Sequence, residues 1–362
     1  MPISAVDAIT PAFQHMKKQL IQPFRFGQWV RLAVVGFLAG ELSSGGGCNF
    51  RSGVSEPQHM PTLPPELANH PAMLAGMIAF LVVVGFVLIV LFTYISSVMR
   101  FILFDSIVAK ECHIREGWVR RQSEGFRLFV WQILLMLATF VILIILIGIP
   151  LALAWGAGWL KQPSEHILPL VLGGILLVLL FIAFVVVLAV VHVMTKDFVV
   201  PQMALEGISA MEGWRRLWPR VSGEKGGYAG YIGMKIVLAI GAGIIFGIIT
   251  LILAFILVFS IGGVGLIAVL GGKAAGMTWN LYTITLAIVV GCVALAILIF
   301  AVSLISVPVA VFFPAYSIYF FAARYPKLAA LLWPPPPTQP VAVAPPRPPE
   351  PPPLPPTPVP IG

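Results

Sequence analysis

Long apolar runs divide this sequence. Pro71–Met99 contains no charged residue between its ends, and comparable runs cover Leu128–Leu160, Ile167–Thr195, Tyr228–Gly272 and Leu281–Ala322. A helix of about 20 apolar residues is long enough to cross the hydrocarbon core of a bilayer. Only 10% of the 362 residues are charged, whereas soluble domains carry about 25%. These features exclude a soluble globular enzyme and predict an all-α polytopic transmembrane helical bundle.

We expect six spans within a membrane domain that covers residues 28–325. A short first span, Gln28–Leu42, precedes the five long runs and contains Glu41. The last two runs are too long for a single crossing, because the 45 residues of the fifth would make a straight helix of about 68 Å. We expect a break at Gly262–Gly265, and breaks in both runs would give eight spans. The other expected kinks are at Pro150, Pro308 and Pro314.

The basic residues predict the orientation. In the six-span interpretation, 19 of the 22 Lys and Arg residues fall on one side, and Arg51, Lys161 and Lys273 fall on the other. The positive-inside rule then predicts that both termini are cytoplasmic. The net charge of +8 predicts attraction to anionic lipids of the cytoplasmic leaflet. A nucleic-acid partner is not expected, because no basic run interleaves with aromatic residues.

The two ends of the chain differ from the membrane domain. Residues 1–27 predict a cytoplasmic amphipathic helix that lies on the membrane surface or packs on another cytoplasmic part of the protein. Its apolar face comprises Val6, Ile9, Phe13, Met16, Leu20 and Phe24. Residues 334–362 contain 16 of the 32 prolines, which predicts a disordered tail. This tail either only solubilises the chain or docks a proline-reading protein partner.

A short pattern recurs where cytoplasmic segments lead into spans. The segments Gly27–Arg31, Glu116–Arg120 and Glu212–Arg216 each contain a glycine, then a tryptophan, and an arginine two residues after that tryptophan; the three tryptophans are 89 and 96 residues apart. One hypothesis is three tandem two-span units, 3–99, 104–195 and 200–323. The alternative is that Trp and Arg gather separately at membrane interfaces. Under either hypothesis the expected interface anchors are Trp29, Arg31, Trp118, Arg120, Trp214 and Arg216.

Few residues in the spans could carry chemistry. Glu41, Lys235 and Lys273 lie near span ends, where they can reach the interface. Asp105 and Asp197 follow the second and fourth spans. For these two we expect helix capping or ion pairing, with contact to a substrate or lipid headgroup as the alternative.

No enzyme motif or zinc-ligand spacing occurs. We therefore expect no catalytic residues, no cofactor and no metal, and we predict that the protein is not an enzyme. Three cysteines exclude a disulfide framework. Gly243 and Gly247 form a GxxxG step that predicts close helix packing within the chain, or else a homo-oligomer.

Three short segments carry a resemblance over residues 1–325. They are Pro23–Trp29, Asp197–Met203 and Phe313–Tyr316. With them the chain resembles uncharacterised bacterial multi-pass proteins related to the membrane domain of glycerophosphoryl diester phosphodiesterases. The resemblance implies a bundle of about six spans, and with it we expect the plasma membrane of a bacterium as the location. It implies no catalysis, because the soluble barrel domain with its acidic metal site is missing, and no functional residues are transferred.

Two functional hypotheses follow. The first is a non-enzymatic membrane-organising or scaffold component, because the spans are nearly free of charge and amphipathic segments lead into them. The second is a transporter or accessory permease for a lipid or apolar solute. This second hypothesis is based on the breaks expected in the last two apolar runs, because broken helices could form a gated cavity.

Overall fold

The computed structural model describes residues 4–22, 24–41, 71–162, 164–274 and 281–333. In these ranges all regular structure is helical. The predicted tail, 334–362, and residues 42–70, which include Arg51, lie outside the described residues. In chain order the helices are α1 (Ile9–Leu20), α2 (Phe26–Leu38), α3 (Pro71–Ala109), α4 (Ile114–Gly156), α5 (Ile167–Met194), a π-helix (Thr195–Val199), α6 (Val200–Glu206), α7 (Ala210–Gly223), α8 (Lys225–Ala274), α9 (Leu281–Ile305), α10 (Val307–Ala322) and α11 (Pro326–Leu332).

Five stretches of helix are long and apolar enough to cross a membrane. They are Ala75–Ala109, Ile114–Gly156, Ile167–Glu206, Lys225–Ile256 and Ile288–Ile305. A sixth is obtained if α10 and α11 count as one span, although these two helices meet at a bend of 119°. The predicted class, a helical multi-pass membrane protein, is therefore confirmed.

In the described residues, the first predicted span, Gln28–Leu42, forms a helix that is shorter than a full crossing. Helix α2 has 13 residues and ends at Leu38, and a turn with Gly40 at a φ of +77° follows. Thirteen residues of α-helix cover about 20 Å, which is short of a hydrocarbon core of about 30 Å. The segment is a short apolar helix at the end of the bundle.

The predicted break at Gly262–Gly265 is wrong, because α8 continues through these glycines to Ala274. A glycine costs a helix only about 1 kcal/mol, whereas an interrupted helix in hydrocarbon leaves backbone groups without partners. Since this run is one helix, the eight-span alternative fails.

Proline divides the last apolar run but not the others. Helix α9 ends at Ile305, and α10 begins at Val307 with Pro308 in its first turn, where a missing N–H removes no helical hydrogen bond. Pro314 lies inside α10. Pro150 lies inside α4, which continues to Gly156. These two prolines therefore do not end their helices.

The packed core lies at one end of the long helices. It contains the last turns of α3, the first turns of α4 and α8, the π-helix and most of α10. By contrast, the most apolar 18-residue windows of four of the five spans contain no buried residue. The apolar lengths of these spans thus face outward, and the chain's own packing is concentrated at their ends.

Helix α1 packs on this core with a face that matches the predicted apolar face only in part. Leu20 of that face is buried, and Ile9 and Met16 pack against the core. His15 contacts the carbonyl oxygen of Ile107 at 2.9 Å and the hydroxyl of Tyr319 at 3.1 Å. A carbonyl oxygen only accepts, so Nε2 of His15 donates to it and Nδ1 accepts from Tyr319. Burial lowers the pKa of His15, which favours this neutral form. Phe13, on the predicted apolar face, is 54% exposed.

Helices α3 and α4 form a tight antiparallel pair. Ser97 donates a hydrogen bond to the side-chain oxygen of Gln132 at 2.8 Å. A Cβ atom added at Gly125 would lie 2.5 Å from Cγ2 of Val98 and 3.0 Å from its Cα. Glycine at this position therefore sets how closely the two helices approach.

Candidate functional site

A π-helix leads into the candidate site. Residues Thr195–Val199 continue α5 into α6 with one wider turn. Such turns are rare in helices and are frequent at functional sites. This one carries Lys196 and Asp197, and Asp197 is only 2% exposed.

Asp197 is held by two side chains of α8. Lys235 forms an ion pair with Oδ2 of Asp197, and the Tyr231 hydroxyl donates a hydrogen bond to the same oxygen at 2.8 Å. Tyr231 is itself fully buried, and its ring stacks on Tyr316 of α10 with centroids 5.1 Å apart. These contacts fasten the π-helix to α8 and α10.

Two further cations and a second carboxylate lie on the other side of the site. The Lys196 ammonium contacts Oε2 of Glu41 at 2.6 Å, and Glu41 is 3% exposed. Arg100 donates a hydrogen bond from Nε to the carbonyl oxygen of Ala39 at 3.2 Å. With Lys235 and Asp197, the cluster contains three cations and two carboxylates and has a net charge of +1.

A small, partly open cleft lies within this cluster and has a volume of about 30 Å³. Glu41, Arg100, Lys196 and Asp197 supply its charged lining. Apolar residues of α3, α6 and α10 supply most of the remainder. A cleft of this size admits about two water-sized groups.

The three recurring tryptophans each contact a helix near the end of the bundle. Trp29 donates from Nε1 to the Leu304 carbonyl oxygen at 2.8 Å, and Trp214 donates to Oγ1 of Thr195 at 3.1 Å. The Trp118 ring packs edge-on against Tyr94 at 6.1 Å. The two later tryptophans thus contact the span that precedes them, and Trp29 contacts α9. The tandem-unit hypothesis stays a prediction.

The three arginines of the recurring pattern bind other parts of the chain. Arg31 donates to the Cys112 carbonyl oxygen at 3.3 Å, and Arg216 contacts Glu212 at 2.8 Å. Arg120 contacts Asp105 at 2.9 Å. A second cation, Arg121, binds Asp105 with Nε and Nη2 at 2.8 Å each. Asp105 is therefore ion-paired in a surface cluster apart from the cleft.

The remaining predicted residues lie away from the site. Gly243 and Gly247 are in α8, and an added Cβ at Gly247 would meet nothing within 4 Å. This GxxxG step is therefore not a close helix contact at Gly247 within the chain. In the described part of the chain, no group of three or more His, Cys, Asp or Glu residues could hold a metal ion.

Sequence reasoning missed the convergence of the five charged residues. From the sequence, Arg100 and Lys196 were interpreted only as basic residues of cytoplasmic segments. Glu41 and Lys235 were interpreted only as residues near the ends of spans. One signal was available, since Arg100 precedes Trp118 by 18 residues and Lys196 precedes Trp214 by 18 residues. Both cations thus stand at the same place before the recurring pattern.

Comparison with known proteins gives a family but no activity. No curated protein and no solved structure matches this chain. A model of a family of unknown function, DUF7544, matches residues 3–331, about nine-tenths of the chain. The chain therefore belongs to the DUF7544 family of unknown function.

Proposed function

We propose that this protein is a non-enzymatic membrane-organising component whose polar end gathers anionic lipids on the cytoplasmic side of a bacterial plasma membrane. One observation carries the proposal. The chain packs its core at one end of the spans, while the apolar lengths of those spans face outward. A molecule built in this way presents its surroundings with a lipid-facing exterior and one structured polar end.

Exposed cations at the polar end support the choice of lipid. Lys17 and Lys18 are exposed on α1, and Arg115 and Arg215 are exposed on α4 and α7. Each Lys or Arg near an anionic membrane surface contributes about 1 kcal/mol of attraction. Together these residues would enrich anionic lipids around the polar end.

The test is the lipid composition around the protein. The full chain is extracted from bacterial membranes in polymer nanodiscs, and the anionic share of the co-extracted lipid is compared with that of the whole membrane. We expect enrichment in the wild-type discs. Lys17→Gln, Lys18→Gln, Arg115→Gln and Arg215→Gln combined should reduce it, because four charges are lost.

The matched control exchanges the same four residues between Lys and Arg and so keeps their charge. We expect this variant to retain the enrichment. Equal lipid composition in the wild-type and Gln-substituted discs would refute the proposal.

A carrier for a lipid or apolar solute is the second candidate function. The break between α9 and α10 at Pro308 favours it, because two halves of a broken apolar segment can move separately. It ranks second because the cleft of about 30 Å³ lies at the end of the spans. Movement of a fluorescent lipid between leaflets in reconstituted vesicles, but not in protein-free vesicles, would favour the carrier.

A further inference from the structure

We propose that the cleft beside the π-helix binds one phosphate group, with the Arg100 guanidinium as its principal ligand. This inference deepens the proposed function and rests on it, since it places one specific site among the general attractions of the polar end. The phosphate belongs either to a lipid headgroup or to free inorganic phosphate, and the chemistry that the cleft recognises is the same in both cases.

The charges that line the cleft favour the binding of an anion. Lys196 is neutralised by Glu41 and Lys235 by Asp197. Within the described ranges, no carboxylate lies within 4.0 Å of the Arg100 guanidinium, and its hydrogen bond is to a neutral backbone carbonyl. The carboxylates of Glu41 and Asp197 also attract Arg100, but each of them is already ion-paired with a lysine, so one positive charge of the cluster remains uncompensated. A bound anion would bring the net charge of the cluster from +1 to zero.

The shape of the donor group favours phosphate among anions. Arginine presents a planar fork that binds two phosphate oxygens at once. Nε of Arg100 is engaged with Ala39, which fixes the plane of the guanidinium. The cleft admits about two water-sized groups. Two phosphate oxygens therefore fit inside it, while the rest of the ligand stays at the mouth.

The position of the cleft also suits a headgroup. Arg100 and Lys196 lie at the ends of the second and fourth predicted spans, at the level where lipid phosphates meet cytoplasmic cations. Apolar side chains of Leu103, Val200 and Ile318 line the cleft beside these charges. The two carboxylates in the lining do not repel the ligand strongly, because a lysine balances each of them.

The experiment measures binding by the full-length protein in a phosphate-free detergent. Calorimetric titrations use dihexanoyl phosphatidylglycerol, inorganic phosphate and, as the phosphate-free match, dihexanoylglycerol. We expect saturable binding of one phosphatidylglycerol per chain and only non-saturable partitioning of dihexanoylglycerol. Saturable binding of inorganic phosphate with similar affinity would identify free phosphate as the ligand. Saturable binding of neither phosphate probe would overturn the proposal.

Two charge-matched variants locate the site. Arg100→Gln should weaken binding at least about tenfold, because a charge-assisted hydrogen-bonded pair is lost. Arg120→Gln removes the same charge from a side chain that is 68% exposed, and it should leave the affinity within about twofold. Equal losses in both variants would show a diffuse surface attraction and overturn the proposal.

Arg100→Lys keeps the charge and removes the fork, so it tests the proposal if the Gln variant does not fold. We expect it to bind phosphate more weakly than the wild type, and undiminished affinity would contradict the assigned role of Arg100. The nanodisc measurement distinguishes a failure of the phosphate site from a failure of the proposed function. Anionic enrichment without saturable binding would leave the proposed function standing and remove the specific site.

Discussion

Replacing Gly125 with alanine should force α3 and α4 apart at their closest approach. The new Cβ would lie 2.5 Å from Cγ2 of Val98, which is 0.9 Å inside the 3.4 Å limit of ordinary contact. It would also lie 3.0 Å from the Val98 Cα, and a backbone atom cannot rotate away. Overpacking of this kind costs about 1–3 kcal/mol.

Gly148 of the same helix provides the matched control. A Cβ added there would meet its nearest neighbour, Cγ2 of Ile144, at 3.9 Å. Alanine at this position gains the helix propensity that glycine lacks, about 0.5–1 kcal/mol, without a clash. Gly125→Ala gains the same propensity. The difference in stability between the two variants therefore isolates the clash, at about 1–3 kcal/mol.

Thermal unfolding in detergent, followed by tryptophan fluorescence, measures this difference. We expect Gly125→Ala to unfold at a lower temperature than the wild type and Gly148→Ala at the same or a higher temperature. Adding Val98→Ala to Gly125→Ala should restore part of the loss, because Cγ2 is removed and Cα remains. A Gly125→Ala protein as stable as Gly148→Ala would refute the packing argument.

Three further outcomes follow from the described contacts. Asp197→Asn leaves the buried Lys235 without its carboxylate, so it should lower the free energy of unfolding by about 3–5 kcal/mol. The double variant Asp197→Asn with Lys235→Met should lose less stability, because no unpaired charge remains buried. Equal losses in the single and double variants would contradict the pairing. Because burial lowers the pKa of His15, the undocked helix takes up a proton first, and the docking of α1 should weaken as the pH falls below about 6.5. The protection of residues 9–20 against hydrogen exchange, corrected for the intrinsic pH dependence of amide exchange, should fall between pH 7.5 and pH 5 in the wild type and not in His15→Gln. In a cysteine-free background, Lys17→Cys should react with an impermeant maleimide only after spheroplasts are permeabilised, and labelling of intact spheroplasts would reverse the proposed orientation.

The helical class and the long spans could be predicted because they depend on the length and composition of local runs. The division at Pro308 was predictable for the same reason, since a proline restricts its own backbone. The continuity of α8 through Gly262–Gly265 was not, because local flexibility was weighed without the cost of opening a helix in hydrocarbon. In a hydrocarbon environment, glycines that would weaken a helix in water therefore remain helical.

The candidate site could not be predicted from local pattern. Its charged members are spread from Glu41 to Lys235, and each of them separately looks like an ordinary residue near the end of a span. Their convergence depends on how α2, α3, the π-helix and α8 pack together. The docking face of α1 was predicted only in part for a related reason. Leu20 is buried as the apolar pattern predicts, whereas His15 is buried through hydrogen bonds to distant residues.

The contact between the two extremes of the described chain bears on its biosynthesis. The Tyr316 hydroxyl donates to the Ala5 carbonyl oxygen at 3.0 Å across 311 positions, and His15 bonds Tyr319 across 304. Helix α1 therefore leaves the ribosome about 300 residues before its docking surface on α10 is synthesised. Until α10 has been synthesised, α1 is without this partner and is accessible to chaperones and proteases. Chains that stop before Val307 lack the whole of α10, so α1 has no docking surface on α10 in them.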